Sequence, residues 1–315
     1  MARELPEAVR RAAVVGAGVI GGGWAALFLA RGLAVAVSDP APGAEDATRR
    51  LVAGAWPALR SLGVADEEDV PWDRLRFAAS PEAAAEGADI VQESAPERLD
   101  LKRALFARLE TVLRPDVVVA SSTSGLRMTD MQADCRHPGR FVTGHPFNPP
   151  HLIPLVEVVG GERTDPAVVA WLMAFYRRIG KHPIHLKREA NGHLANRLQA
   201  ALWREAVHAV ASGLASVEDV DAAIAHGPGL RWALMGPHLT FHLAGGEGGI
   251  GHFVDHLGPG IERRWAEMAT PTLDAETRRL LVEGVAAEMG DVPADELIRL
   301  RDERLVGLLR LLGGG

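Results

Sequence analysis

The chain has 315 residues, of which 47% are hydrophobic and 24% charged, and its net charge is -7. This length allows two domains, and the composition is that of a globular protein rather than a disordered one. The acidic balance, without a basic cluster, argues against nucleic acid as a partner. The single cysteine, Cys135, excludes a disulfide framework and a cysteine-based metal cluster, and we assign it no function.

An uncharged stretch near the N-terminus resembles a leader peptide or a marginal membrane span. It runs from Ala12 to Ala30, directly after Arg10 and Arg11. Five glycines interrupt it, however, and Asp39 closes the next apolar run. A strand, a glycine turn and a buried helix explain all of these features. We therefore predict no targeting segment, no contact with a membrane and a cytoplasmic location.

Short apolar runs alternate with helical stretches through the first part of the chain. The predicted strands are Ala12–Val15, Val35–Ser38, Leu75–Ala78, Ile90–Gln92, Val117–Ser121, Phe141–Gly144, Leu155–Val159 and Pro183–Leu186. The predicted helices between them are Gly18–Arg31, Glu45–Trp56, Pro81–Glu86, Leu99–Leu113 and Pro166–Ile179. This alternation is typical of a parallel sheet covered by helices. It predicts an α/β domain over residues 1–189, with a Rossmann-like, doubly wound and mostly parallel sheet.

The pattern changes after Glu189, where strand signals almost disappear. The predicted helices there are Leu194–Ser212, Val217–Ala225, His252–Leu257, Leu273–Met289 and Asp295–Leu312. We therefore expect an all-α C-terminal domain over residues 190–315.

A glycine-rich turn predicts a dinucleotide site. The first strand leads into the segment Gly16-Ala17-Gly18-Val19-Ile20-Gly21, which opens a helix. Gly16 permits the tight turn, Gly18 allows a pyrophosphate close to the backbone, and Gly21 allows close helix–strand packing. Asp39 ends the second strand, where a carboxylate binds ribose hydroxyls and repels a 2′-phosphate. The predicted cofactor is NAD rather than NADP.

A histidine and a glutamate are the candidate catalytic pair. His145 follows a strand and enters a loop rich in proline, at the sheet edge where a cofactor lies. An imidazole titrates near neutral pH and suits proton exchange with an alcohol. Glu157 stands within the apolar strand Leu155–Val159, where a buried carboxylate needs a partner. A structural histidine and a solvent-facing glutamate on an edge strand are the alternatives.

Two further polar residues are candidates for holding the reacting oxygen. Ser124 follows another strand of the sheet and would line the same crevice. Asn196 opens the long helix after the domain junction. The spacing alone does not distinguish these roles from an ordinary turn serine and a helix-surface amide.

Several of these motifs together resemble the 3-hydroxyacyl-CoA dehydrogenase superfamily along nearly the whole chain. They are the glycine loop, Ser121-Ser122-Thr123-Ser124, Gly144-His145-Pro146-Phe147-Asn148-Pro149, Leu155-Val156-Glu157-Val158-Val159 and Asn196-Arg197-Leu198. The resemblance implies a His145–Glu157 dyad, with Ser124 and Asn196 on the substrate oxygen. It also implies that the Ala95-Pro96-Glu97-Arg98 segment contributes to the NAD site, with Glu97 and Lys102 beside the nicotinamide ribose and Asn148 near the nicotinamide. Members of the family are typically dimers formed through the helical domain, so we expect a homodimer.

The substrate indicated by the resemblance is a free L-3-hydroxy acid, oxidised at C3 by NAD. Gln92-Glu93-Ser94-Ala95-Pro96-Glu97-Arg98 and Leu243-Ala244-Gly245-Gly246 favour members that act on carnitine. Asn191-Gly192, ahead of Asn196-Arg197-Leu198-Gln199, is more similar to the gulonate and lambda-crystallin branch. The family often has Pro-Gly-Phe at the junction, whereas this chain has Asn191-Gly192-His193. A CoA thioester substrate, or a crystallin-like NAD-binding protein with little turnover, remains an alternative.

The helical domain offers candidate substrate residues. Arg231 lies in a predicted loop, Gly229-Leu230-Arg231-Trp232, and its planar fork would suit a free carboxylate. A solvated surface arginine is the alternative. Aromatic faces bind a quaternary ammonium well. The candidates for that role are Trp232, Phe241, Phe253 and Trp265, although aromatic residues in helices more often belong to the core.

Overall fold

The computed structural model of the chain describes residues 5–313, which form two compact units. The first unit extends to Asn196 and also includes the residues from Arg299 onward. The second unit comprises Arg197–Ile298. The domain bounds expected from the sequence, 1–189 and 190–315, remain a prediction.

The first unit is built on an eight-stranded sheet with the order β3-β2-β1-β4-β5-β6-β7-β8. The strands are β1 (Arg11–Val15), β2 (Ala34–Ser38), β3 (Leu75–Phe77), β4 (Ile90–Glu93), β5 (Val118–Ser121), β6 (Phe141–Pro146), β7 (Leu155–Gly160) and β8 (His182–His185). All neighbouring pairs are parallel except β6 and β7, which are antiparallel. All eight predicted strands are present, and the predicted Rossmann-like class is confirmed.

Thirteen α-helices and four short 3-10 helices lie within residues 5–313. The α-helices before residue 190 are α1 (Val19–Ala30), α2 (Ala44–Ser61), α3 (Pro81–Ala85), α4 (Leu99–Leu109), α5 (Met128–Met131) and α6 (Pro166–Arg178). Those after it are α7 (Ala195–Ala211), α8 (Val217–Ala225), α9 (Pro228–Leu234), α10 (Pro237–Ala244), α11 (Gly249–Glu267), α12 (Ala275–Met289) and α13 (Ala294–Leu311). Residues 190–313 contain no strand, as expected.

Successive residues along the strands belong to two different apolar clusters, so the core of the first unit has two layers. Val14 belongs to a cluster with side chains of α1, α2 and α6, including Trp24 and Phe175. Its neighbour Ala13 belongs to a second cluster with α4 and α5, including Phe106. Successive strand residues face opposite sides of a sheet. Both faces are therefore covered by helices, and the near-continuous apolar strands follow from burial on both sides.

The antiparallel pairing of β6 and β7 sets the position of the two candidate catalytic residues. Their register places His145 directly opposite Glu157. The sequence-based expectation that the strand ends at Gly144 is wrong, because pairing with β7 continues through Pro146. The alternative in which Glu157 points to solvent from an edge strand is also wrong, since β7 lies between β6 and β8 and Glu157 is fully buried.

Several helix predictions in the second unit are wrong. The segment containing Arg231 and Trp232 is helix α9 rather than a loop, and α10 was not predicted. Helix α11 is much longer than the predicted His252–Leu257, since it continues through Pro259 to Glu267. Pro228 and Pro237 stand at the first positions of α9 and α10, where proline is favourable because its missing N–H needs no partner.

Most of α13 belongs to the first unit and contributes to its packing. Val306 and Leu309 of α13 form a small apolar cluster with Leu152. The Arg310 guanidinium also donates hydrogen bonds to the Ser61 carbonyl. No helix within residues 5–313 combines the length and the apolar character needed to cross a bilayer.

Candidate active site

The glycine loop has the backbone geometry that a dinucleotide requires. Gly16 has φ of 91°, and a Cβ there would lie 2.5 Å from the Ser94 carbonyl oxygen. A Cβ on Gly21 would lie 1.8 Å from the Gly16 oxygen, whereas a Cβ on Gly18 would meet nothing within 4 Å. Helix α1 begins at Val19 without a side-chain cap. Its first amides, including that of Ile20, therefore lack partners within the helix and suit a pyrophosphate.

Asp39 joins the glycine loop to the end of β2. Its Oδ2 accepts a hydrogen bond from the Ala17 amide at 2.7 Å, and its Oδ1 accepts one from the Ala41 amide at 2.8 Å. These two contacts hold the carboxylate at the carboxyl end of the sheet. Each oxygen keeps further lone pairs for ribose hydroxyls. The loop and Asp39 therefore fit an NAD molecule.

His145 and Glu157 form a buried hydrogen-bonded pair. His145 Nδ1 lies 2.9 Å from Glu157 Oε2, and the side chains are 7% and 0% exposed. An ionised carboxylate only accepts hydrogen bonds, so Nδ1 donates and Nε2 keeps its lone pair. This tautomer leaves Nε2 able to act as a base.

The second oxygen of Glu157 binds the start of α7. Glu157 Oε1 accepts hydrogen bonds from the Leu194 and Ala195 amides, both at 2.8 Å. Burial acts to raise the pKa of Glu157, but the hydrogen bonds from His145 and from these amides outweigh burial and hold the pKa below its ordinary value. Glu157 is therefore a carboxylate at neutral pH, and it also caps the helix that contains Asn196.

The loop that contains Ser124 is organised by Glu97. Glu97 Oε1 accepts hydrogen bonds from the Thr123 hydroxyl at 2.6 Å and from the Ser124 and Gly125 amides, both at 2.9 Å. Burial acts to raise the pKa of Glu97, but the Thr123 hydrogen bond and the Lys102 charge hold it below its ordinary value. The Ser124 side chain itself is exposed.

Lys102 supports this region from within the protein. Its ammonium donates to Glu93 Oε1 at 2.6 Å and to the Ala95 carbonyl at 3.1 Å, and the residue is 1% exposed. The Ala95 amide donates to the same Glu93 oxygen at 2.6 Å. Lys102 thus holds the Ala95–Glu97 turn in place. Whether it also reaches a ribose remains a prediction.

His193 packs against His145, and the sequence did not assign it a role. The two ring centroids are 5.0 Å apart, and His193 Nε2 lies 3.0 Å from the Thr123 carbonyl oxygen. His193 has φ of 49°, in the left-handed region, directly after Gly192 with φ of 72°. This turn aims the next two amides at Glu157. Burial lowers the pKa of His193, so its ring is neutral at pH 7.

The other predicted site residues differ in their exposure. Asn148 is exposed after β6, and Asn196 is half-buried in the first turn of α7. In the second unit, Arg231 is exposed on α9, and Trp232 beside it is 38% exposed. Phe253 is buried and stacks on Phe241 with ring centroids 4.8 Å apart.

Similarity to known proteins covers the whole of this architecture. Residues 11–190 match the model of the 3-hydroxyacyl-CoA dehydrogenase NAD binding domain, and residues 192–280 match that of the 3-hydroxyacyl-CoA dehydrogenase C-terminal domain. An L-carnitine dehydrogenase of Streptomyces coelicolor is 56% identical, over 98% of this chain and 96% of its own. One of Pseudomonas aeruginosa is 48% identical, over 96% and 93%. The crystal structure of 5-formyl-3-hydroxy-2-methylpyridine 4-carboxylic acid 5-dehydrogenase, an NAD+-dependent dismutase, has a TM-score of 0.83 and 32% identity, over 97% of this chain and 99% of its own.

The fold and the site define an NAD-dependent oxidoreductase with a Rossmann-like domain. The chain belongs to the 3-hydroxyacyl-CoA dehydrogenase family. The family membership and the NAD cofactor expected from the sequence are both confirmed.

Proposed function

We propose that the protein oxidises the C3 hydroxyl of L-carnitine to the 3-keto acid. The observation that carries this proposal is 56% identity to an L-carnitine dehydrogenase over 98% of the chain. Carnitine is a free acid, and the structurally similar pyridine dehydrogenase also acts on a free carboxylic acid. Both likenesses favour a small carboxylate over a CoA thioester.

The His145–Glu157 pair supports this chemistry as the proton-accepting dyad. NAD, when bound, supplies the hydride acceptor for C3. His145 Nε2 takes the hydroxyl proton while Glu157 stabilises the imidazolium that forms. Ser124 and Asn196 orient the substrate oxygen, and orientation of this kind supplies much of the rate enhancement.

The residues proposed to hold NAD are those of the glycine loop and its neighbours. Gly16, Gly18, Val19, Ile20 and Gly21 surround the pyrophosphate, and Asp39 binds the adenosine ribose. Ala95, Glu97, Lys102, Ser124 and Asn148 contribute to the nicotinamide end. The exposed backbone at Gly18 and the uncapped start of α1 support this assignment.

The proposed substrate residues lie in the second unit. Arg231 binds the carboxylate through its guanidinium fork, and Trp232 and Phe253 bind the trimethylammonium group. The exposure of Arg231 and Trp232 supports their roles, whereas Phe253 is buried against Phe241. Arg231→Met should raise the KM for carnitine while leaving the affinity for NAD unchanged. An unchanged KM would exclude Arg231 as the carboxylate anchor.

We also propose a homodimer in the cytoplasm. Exposed apolar side chains on α7, among them Leu198 and Trp203, support a subunit interface. The only cysteine, Cys135, is buried, and burial raises its pKa to about 12. A reducing compartment is consistent with a single inert thiol.

The test is a substrate panel in which NADH absorbance is followed with the purified full chain. L-carnitine should give the highest kcat/KM, above gulonate, 3-hydroxybutyrate and 3-hydroxybutyryl-CoA. Highest activity with gulonate or with the thioester would replace carnitine by that substrate. Tight NAD binding without turnover of any of the four would favour a crystallin-like protein instead.

A further inference from the structure

A chain of polar side chains crosses the interior of the first unit from α6 to the ends of two strands. The Tyr176 hydroxyl donates to Gln92 Oε1 at 2.8 Å, and Gln92 Nε2 donates to the Ser122 hydroxyl at 2.9 Å. The Ser122 and Ser94 hydroxyl oxygens are 2.9 Å apart. Tyr176 and Gln92 are fully buried, whereas the two serines are half-buried. The chain therefore leads from the core to the sheet edge.

The hydrogen bonds of this series of side chains all donate in one direction, from Tyr176 toward Ser122. Gln92 Nε2 also faces the Gly144 carbonyl oxygen at 3.4 Å, and a carbonyl oxygen only accepts hydrogen bonds. The amide nitrogen of Gln92 must therefore point toward Gly144 and Ser122, which leaves its oxygen for the Tyr176 hydroxyl. Burial raises the pKa of Tyr176, so it remains a phenol that can donate.

The direction continues through the serines. Ser122 accepts from Gln92, so its own proton is available for Ser94. Either hydroxyl can donate in the bond between Ser122 and Ser94, and the Ser94 hydroxyl has no other partner among residues 5–313. When Ser122 donates, the direction set by Gln92 continues and the Ser94 proton is the free end of the series. Each donor in such a chain polarises the next, which strengthens the final donor.

The position of Ser94 at the end of β4 indicates which ligand its hydroxyl would contact. Ser94 directly follows β4, and Ser122 directly follows β5. In the sheet these strands lie between β1, which leads into the glycine loop, and β6, which contains His145. Asp39 follows β2, on the other side of β1. A dinucleotide that extends from the glycine loop to His145 must cross the ends of β4 and β5, with its adenosine on the side of Asp39.

We propose that the Ser94 hydroxyl is an NAD-binding group that donates a hydrogen bond to an acceptor oxygen on the nicotinamide-bearing half of the dinucleotide. Ser122, Gln92 and Tyr176 are positioning residues that act through Ser94. Because Gln92 also holds the carbonyl of Gly144, the same chain connects the dinucleotide crevice to the strand of the candidate base. This inference rests on the proposed placement of NAD between the glycine loop and His145, and not on the identity of the substrate.

Calorimetric titration of the full chain with NAD and with ADP tests the proposal, because ADP lacks the nicotinamide half. Loss of one hydrogen bond predicts that Ser94→Ala weakens NAD binding about tenfold and changes ADP binding less than about twofold. Ser94→Thr, which keeps the hydroxyl, should restore most of the NAD affinity. Ser212→Ala, on an exposed serine of the second unit, is the matched control.

Two results for Ser94→Ala would overturn the proposal: NAD affinity equal to wild type, or an equal loss for NAD and ADP.

Tyr176→Phe tests whether the buried hydrogen bonds act on Ser94, since it removes only the first donor of the series. It should weaken NAD binding by a smaller factor, with ADP binding unchanged, and lower the thermal midpoint because Gln92 Oε1 loses its buried partner. Wild-type NAD affinity in Tyr176→Phe would refute the positioning role. Failure of carnitine as substrate would leave all these binding results intact, so the two proposals fail separately.

Discussion

The Glu157 carboxylate holds His145 with one oxygen and the start of α7 with the other. Substitution Glu157→Gln separates these contacts. The glutamine oxygen can still accept from Leu194 and Ala195, but its NH2 group then faces His145 Nδ1 and drives the ring proton to Nε2. That tautomer is the wrong one for a base. We expect kcat to fall by about 10²- to 10⁴-fold while NAD affinity is retained.

Steady-state kinetics combined with NAD titration checks this expectation. Glu162→Gln makes the same chemical change at an exposed position and serves as the control. A Glu157→Gln protein with wild-type kcat would show that the dyad does not carry the proton transfer.

The His193 ring connects the Ser124 loop to the dyad through its hydrogen bond to the Thr123 carbonyl. His193→Phe keeps a buried ring beside His145 but removes the donor. Leaving a buried carbonyl without this partner should lower the free energy of unfolding by about 1–3 kcal/mol. The loosened loop should also lower kcat. Urea unfolding and steady-state turnover measure the two effects. His185→Phe, on the edge strand β8, is the control because His185 is exposed. Wild-type stability and wild-type kcat in His193→Phe would exclude a positioning role for His193.

At the scale of elements, Lys181 binds the connection between β6 and β7. Its ammonium donates to the carbonyl oxygens of Pro150 and Ile153, the latter at 2.6 Å, and lies 5.2 Å from the centre of the Trp24 ring. Burial lowers the pKa of Lys181 to about 7. The connection between β6 and β7, the strands of the candidate catalytic pair, is therefore held by a buried amine that titrates near neutral pH.

This burial predicts a dependence of stability on pH. A lysine in the unfolded chain has a pKa of about 10.4. Between about pH 7 and about pH 10 the unfolded chain therefore binds one more proton at Lys181 than the folded chain does. The free energy of unfolding attributable to Lys181 should therefore rise with pH across this window, on the order of 4 kcal/mol. Urea unfolding at both ends of the window should show the rise in wild type and in Lys187→Met, but not in Lys181→Met. The same slope in Lys181→Met would assign the effect to other groups.

At the scale of the whole molecule, α7 exposes an apolar stripe that a subunit interface would cover. Leu198, Leu202 and Trp203 are 59%, 39% and 54% exposed. Exposed contiguous apolar surface of this kind marks interaction sites. Sedimentation should give about twice the chain mass of 33.6 kDa. Trp203→Glu should shift the mass toward the monomer, whereas Gln199→Glu on the same helix should not. A monomeric wild-type protein would contradict the proposed dimer.

The sheet was predictable because its strands are buried on both faces. Continuous apolar runs such as Val117–Ser121 indicate such strands because they are short and rich in β-branched residues, and the glycine loop and Asp39 were recognisable from their positions at strand ends. The helices around Arg231 and Phe241 were missed because glycine and proline interrupt the local pattern. Each of these helices nevertheless begins at a proline, a residue that suits the first turn of a helix.

The sequence alone determined the fold class and predicted a dinucleotide site, since both depend on local pattern, whereas the pairing of His145 with Glu157 was implied by the family resemblance. The tertiary structure decided which polar groups meet across distant segments. Tyr176 and Gln92 are 84 residues apart, and His193 and Thr123 are 70 apart. No periodicity relates such positions. Only the packed chain brings them together, because buried donors and acceptors must find partners wherever the fold places them.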